Sequence, residues 1–187
     1  MVRNSVGNYT ATLPGLTHAG GSVQVTAYKG TETSRCKVSH WYQNSSATFV
    51  YVLCFNSAGQ AADEFFNLAY SEKESFGHTS SATARGAYVW ANKPRDTSTY
   101  VPATTYQYNG LGTGSLTSVK TGKGQYTVSI PGPFAYNTSN VLVTGYDSTS
   151  DYCDVVGFGI GTAKVACFAQ GGARVDSDFD MAFQTAD

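Results

Sequence analysis

The chain has 187 residues, of which 41% are apolar, 13% aromatic and 13% charged, with a formal net charge of −1 and a pI near 6.3. The charged share is about half the ~25% of an average soluble domain, and the basic residues stand singly (Arg3, Lys29, Arg35, Lys37, Lys93, Arg95). That excludes a nucleic-acid binder working through clustered Lys and Arg, and no stretch approaches the ~20 consecutive apolar residues of a membrane span.

Taken in chain order, Tyr9, Ala11 and Leu13 alternate with Thr10 and Thr12, which predicts a strand closed by the turn Pro14-Gly15. After Ala19-Gly20-Gly21, the residues Val23, Val25 and Ala27 alternate with Gln24 and Thr26. Residues 48–55 are almost continuously apolar or aromatic and are expected to form a central strand buried on both faces. Asn56-Ser57-Ala58-Gly59 is a turn, and residues 61–68 read as a turn followed by a strand. The Ser/Thr/Ala-rich residues 74–86 read as a connector. Residues 87–92, a loop holding Pro94 and Pro102, and residues 104–109 then precede a second run of strands.

That second run repeats the first. Gly7-Asn8-Tyr9-Thr10-Ala11-Thr12-Leu13-Pro14-Gly15 recurs as Gly124-Gln125-Tyr126-Thr127-Val128-Ser129-Ile130-Pro131-Gly132, and the stretch from Val23 to Tyr28 as that from Val141 to Tyr146. Cys36 matches Cys153 and Trp41 matches Phe158; Cys54 matches Cys167, followed at identical offsets by Gly59/Gly172, Asp63/Asp176, Phe66/Phe179 and Tyr70/Phe183. The expected fold is therefore all-β, with two tandem immunoglobulin-like β-sandwich units from a divergent internal repeat, the first lacking strands. The units are residues 1–73 (incomplete), a linker at 74–86, and residues 87–187 (complete).

Four cysteines allow three pairings, and the duplication favours Cys36–Cys54 and Cys153–Cys167. Zinc-type spacing is absent. Two disulfides and a Tyr/Thr/Ser/Gly-rich composition point to a secreted, extracellular chain; no leader segment is visible, so export rests on cysteines and composition. No catalytic signature marks a nucleophile, His18, His40 and His78 read as surface histidines, and no enzyme activity or cofactor is expected. Asp147, Asp151, Asp154, Asp176, Asp178 and Asp180 form oxygen-rich clusters that suit calcium, set against a charged strand that blocks edge pairing. The candidate binding residues are the aromatics and amides of the opening segment: Tyr88, Trp90, Asn92, Tyr100, Tyr106, Tyr108 and Asn109, where rings stack on sugars and amides meet hydroxyls. Their alternation also permits a core role. Trp41 reads as a core aromatic on a disulfide.

The order G-x-Y-x-V-x-x-P-G, V-x-V-T-x-Y, Cys, aromatic, Cys-Phe, Gly, Asp and Phe, opened by Ala87-Tyr88-Val89-Trp90-Ala91-Asn92-Lys93-Pro94, resembles a repeat in secreted proteins of actinobacteria and other soil bacteria. The resemblance spans nearly the whole chain and implies no particular chemistry. The expected function is a non-enzymatic extracellular binding or assembly module. Its partner would be a protein strand, a second copy of itself or its own residues 87–109, meeting exposed β-edges of the first unit. The alternatives are a glycan-binding, lectin-like module and a secreted protease inhibitor or hydrolase accessory domain.

Overall fold

Alternating apolar and Thr/Ser residues give strands with one core face, and the first repeat forms six of them: β1 (Val2–Ser5), β2 (Asn8–Pro14), β3 (Ser22–Tyr28), β4 (Arg35–Gln43), β5 (Ala47–Phe55) and β6 (Phe65–Ser71). The second forms eight: β7 (Ala84–Ala91), β8 (Gln107–Asn109), β9 (Thr117–Gly122), β10 (Gln125–Ser129), β11 (Ser139–Tyr146), β12 (Tyr152–Gly159), β13 (Thr162–Phe168) and β14 (Asp178–Ala186). A 3-10 turn at Thr104–Tyr106 is the helical element among the described residues. The structure, a computed structural model, describes residues 1–28, 33–73, 84–112, 114–132 and 138–186. Most of the expected linker lies outside these residues, and its last three residues already belong to β7.

Both repeats are sandwiches. In the first, the sheet β1-β2-β5-β4 faces the two-stranded sheet β3-β6; in the second, β9-β10-β13-β12 faces β11-β14-β7-β8. The strands that lack counterparts in the first repeat are β7 and β8, the opening segment. The sheet β1-β2-β5-β4 of the first repeat and β11-β14-β7-β8 of the second meet at a single parallel bridge, Tyr146 to Val38. Each disulfide joins directly opposed residues of a hairpin, Cys36–Cys54 across β4 and β5 and Cys153–Cys167 across β12 and β13. They therefore tie neighbours within one sheet, where an antibody domain's bridge spans two.

The sheet β11-β14-β7-β8 packs on both faces, although Leu142 on β11 stays 41% exposed. Ala87, Val89, Phe179, Met181 and Phe183 point into the second repeat's core. The alternate residues Tyr88, Trp90, Thr144, Tyr146 and Asp180 point the other way, into the first repeat. Here β3 docks by its edge: the Val23 amide donates to Asp180 Oδ2 at 2.6 Å and the Val25 amide to Thr144 Oγ1 at 3.0 Å. Gln24 donates to the Asp180 carbonyl and accepts from Thr144. Side chains of one repeat thus satisfy backbone donors of the other, which a buried strand edge requires. Arg35, lying over the Tyr152 ring, and Lys37, paired with Asp147 at 2.7 Å, close the contact.

Candidate functional site

The seven residues singled out in the opening segment do not share an open face. Tyr88 is 2% exposed, and its hydroxyl accepts the Lys73 amide at 3.0 Å; burial pushes its pKa up to about 12. Trp90 and Tyr106 pack edge-on against Trp41, with Tyr146 completing a four-ring cluster at centroid distances of 5.0–6.2 Å. Tyr108 tilts against Tyr88, and Tyr100 bridges to Ser118 while its hydroxyl accepts the Lys93 amide. Asn109 donates to the Gly114 and Pro131 carbonyls and accepts from Leu111; Asn92 is half-buried at the end of β7. Tyr88, Trp90 and Tyr106 thus meet the first repeat, while the contacts of Tyr100 and Asn109 stay within the second. Trp41, buried as expected, keeps company with these rings and donates from Nε1 to the Gly20 carbonyl at 2.9 Å.

The aspartates divide likewise. Asp147 is held by Lys37 and Thr149, Asp180 is sealed against β3, and among the described residues no three His, Cys, Asp or Glu side chains converge as a metal group. Asp63 and Asp176 carry a repeated polar clamp. Asp63 accepts the Gly7 amide at 3.0 Å and pairs with Arg3; Asp176 accepts the Gly124 amide at 2.8 Å and pairs with Lys120. The alignment showed the matched aspartates, but their glycine partners lie more than fifty residues away and left no local signal.

Two open surfaces stand out among the described residues. The first is the outer edge of β6. Because the Val23 and Val25 amides point away from β6, their opposed residues Tyr70 and Leu68, and Phe66 beyond them, turn their own backbone groups to the opposite edge. Among the described residues no strand pairs there, whereas the equivalent edge of β14 is filled by β7 over eight residue pairs. Beside it, Tyr9, Tyr28, Asp63, Glu64, Phe65 and Phe66, with Met1, line a cavity of about 400 Å³. Phe65 is 58% and Tyr28 45% exposed.

The second is the outer face of the β4–β5 hairpin. The strand at residues 48–55 is central, but it is not covered on both faces as its composition led us to expect. Val50, Val52 and Cys54 are buried, while Phe49, Tyr51 and Leu53 are only half-buried. His18 is exposed beside Glu72, His40 lies on this open face, and His78 falls outside the described residues. No family model, curated protein or solved structure matches the chain.

Proposed function

We propose that the chain is a non-enzymatic binding and assembly module of a secreted protein, whose first repeat accepts an extended strand along the outer edge of β6. One observation carries this reading: the second repeat contains the filled version of the same edge. There β7 runs antiparallel to β14, placing Ala91, Val89 and Ala87 opposite Phe179, Met181 and Phe183. In the first repeat Phe66, Leu68 and Tyr70 occupy the matching positions, pack partly buried on the core and present the edge. The fitting occupant is therefore an extended segment with small aliphatic residues at alternate positions, joined by main-chain hydrogen bonds. The two disulfides and the sparse charge support an oxidising, extracellular setting. The docked β3 edge means that the second repeat, through side chains of β7, β11 and β14, already serves as internal partner on the other side.

A peptide with the sequence of residues 84–91 tests the site against isotope-labelled protein. Binding should protect the amides of Phe66, Leu68 and Tyr70 from hydrogen exchange, and Ala69→Lys on the exposed face of β6 should weaken it. Amides at these positions that are already fully protected in the free protein, or no response to the peptide, would refute the proposal.

A further inference from the structure

The open face of the β4–β5 hairpin carries four rings in a continuous stack. His40 lies parallel to Tyr51 at 4.2 Å, Tyr51 to Tyr42 at 6.1 Å, and Tyr42 to Phe49 at 5.2 Å, with interplanar angles of 12–24°. These are the directly opposed pairs His40/Tyr51 and Tyr42/Phe49, linked by a diagonal contact. Tyr42 is 45% exposed and His40 is exposed.

The second repeat is a control for what the fold itself requires here. Its hairpin β12–β13 has the same disulfide, the same bulge and the same pairing. At the four equivalent positions it has Gly157 opposite Lys164 and Gly159 opposite Thr162. A hairpin of this geometry therefore forms without rings at these four positions; the stacked pair on its outer face, Tyr152 and Phe168, lies at the other end, beside the disulfide. The aromatic stack is an addition peculiar to the first repeat, and it sits where it adds nothing to either core cluster.

The surroundings narrow the ligand. In the neighbouring strand Thr10 stands opposite Tyr51 and Thr12 opposite Phe49; Asn4 donates to the Thr10 hydroxyl at 2.8 Å and to Asn8 at 3.1 Å. The rows that hold the rings bear hydroxyls, amides and π systems and no formal charge. The nearest cation on β4, Lys37, is buried in its pair with Asp147. Burial also lowers the pKa of His40, which favours its neutral ring. A charged partner would meet no complementary charge on this face. Rings beside hydroxyls and amides match a ligand with apolar C–H faces and many hydroxyl groups.

We infer that the outer face of β2, β5 and β4 in the first repeat is a binding platform for a neutral polysaccharide. Sugar rings pack against the aromatic stack, and their hydroxyls bond to Thr10, Thr12 and Asn4. The site is distinct from the β6 edge, which belongs to the opposite sheet of the same sandwich.

The test uses the full chain in depletion assays with insoluble cellulose and chitin, and in gel retardation with soluble starch, xyloglucan and the anionic polygalacturonate. Retention is expected on at least one neutral polymer, persisting in high salt, and not on polygalacturonate. The double variant F49T/Y51K installs what the second repeat carries at these positions and should weaken retention by roughly tenfold or more. Tyr42→Ser, which removes the exposed ring linking Tyr51 to Phe49, is the second variant should the first fail to fold, with circular dichroism as the check. Failure to bind any neutral polymer, or undiminished binding by folded variants, would overturn the inference. So would concentration-dependent dimerisation that the variants abolish in place of sugar binding, since the face would then be a protein contact.

Discussion

Asp180 sits at the join of the two repeats, and its chemistry sets how that join responds to pH. Burial holds its carboxyl well above the usual carboxylate range, opposed by the Val23 amide it accepts. Its neighbour Asp178 is pushed up to about 6, first by burial and then by Asp147. Both bind their protons more tightly folded than unfolded, so their contribution is complete below about pH 4. It falls as pH rises through about 6 for Asp178 and further for Asp180. Asp63, held low by Arg3, and Asp176, held low in spite of burial by Lys120 and the Gly124 amide, act oppositely and lose their contribution as pH falls below the usual carboxylate range. Melting temperature should therefore peak between about pH 4 and 6 rather than at neutrality. Asp180→Asn keeps the acceptor for Val23 and removes the titration. It should melt a few degrees above the parent at pH 8 and gain nothing at pH 4, as read by scanning calorimetry. Parallel curves for the two proteins would show that Asp180 is not the titrating group.

Hairpins β1–β2 and β9–β10 are each fixed by the same turn clamp, and the two clamps differ in burial. Gly7 and Gly124 have φ of +64° and +58°, and a Cβ would come within 2.5 Å of the Cys54 carbonyl and 2.6 Å of the Cys167 carbonyl. Gly7→Ala or Gly124→Ala should cost more than about 1 kcal/mol in urea unfolding, through both strain and the close approach. The aspartates should separate. Arg3 and Asp63 are about half exposed, whereas Lys120 and Asp176 are under one-fifth exposed. Asp63→Ala, in an exposed pair, is accordingly expected to cost less than Asp176→Ala, which should cost about 1–3 kcal/mol because it strands the Gly124 amide. Equal losses would mean that the ion pairs do not govern the clamps. The all-β class and the disulfide pairing were legible in the sequence, because alternation and matched spacing are properties of the chain itself. The open side of β5 was not. An apolar run such as residues 48–55 reads the same whether Phe49 and Tyr51 meet a core or solvent. Likewise, alternation put Tyr88 and Trp90 on one face without revealing that this face meets the other repeat.

Viewed across the whole molecule, the repeats are unequal partners in one buried contact. The second has two four-stranded sheets and its own core, while the first relies on Trp90, Tyr106 and Tyr146 to cover core residues such as Trp41. Gly20, whose carbonyl accepts from Trp41, Gln43 and Tyr70, lies so close to Thr105 that a Cβ would collide with that backbone. Trp90→Ala removes a partly buried ring from the cluster and should cost about 2–3 kcal/mol, below the ~3–5 kcal/mol of a fully buried aromatic. Its effect on unfolding distinguishes one cooperative unit from two. If the contact couples the repeats, the parent unfolds in a single transition, and the variant splits it, with the first repeat melting earlier. Fragments carry the argument further. Residues 84–187 retain a complete sandwich and should give dispersed amide resonances alone. Residues 1–73 lose the cover over Trp41 and the acceptors for the Val23 and Val25 amides, and should be unfolded or aggregated until mixed with the longer fragment. A cooperatively folded fragment 1–73 would show that the first repeat supports itself and that the interlock is dispensable.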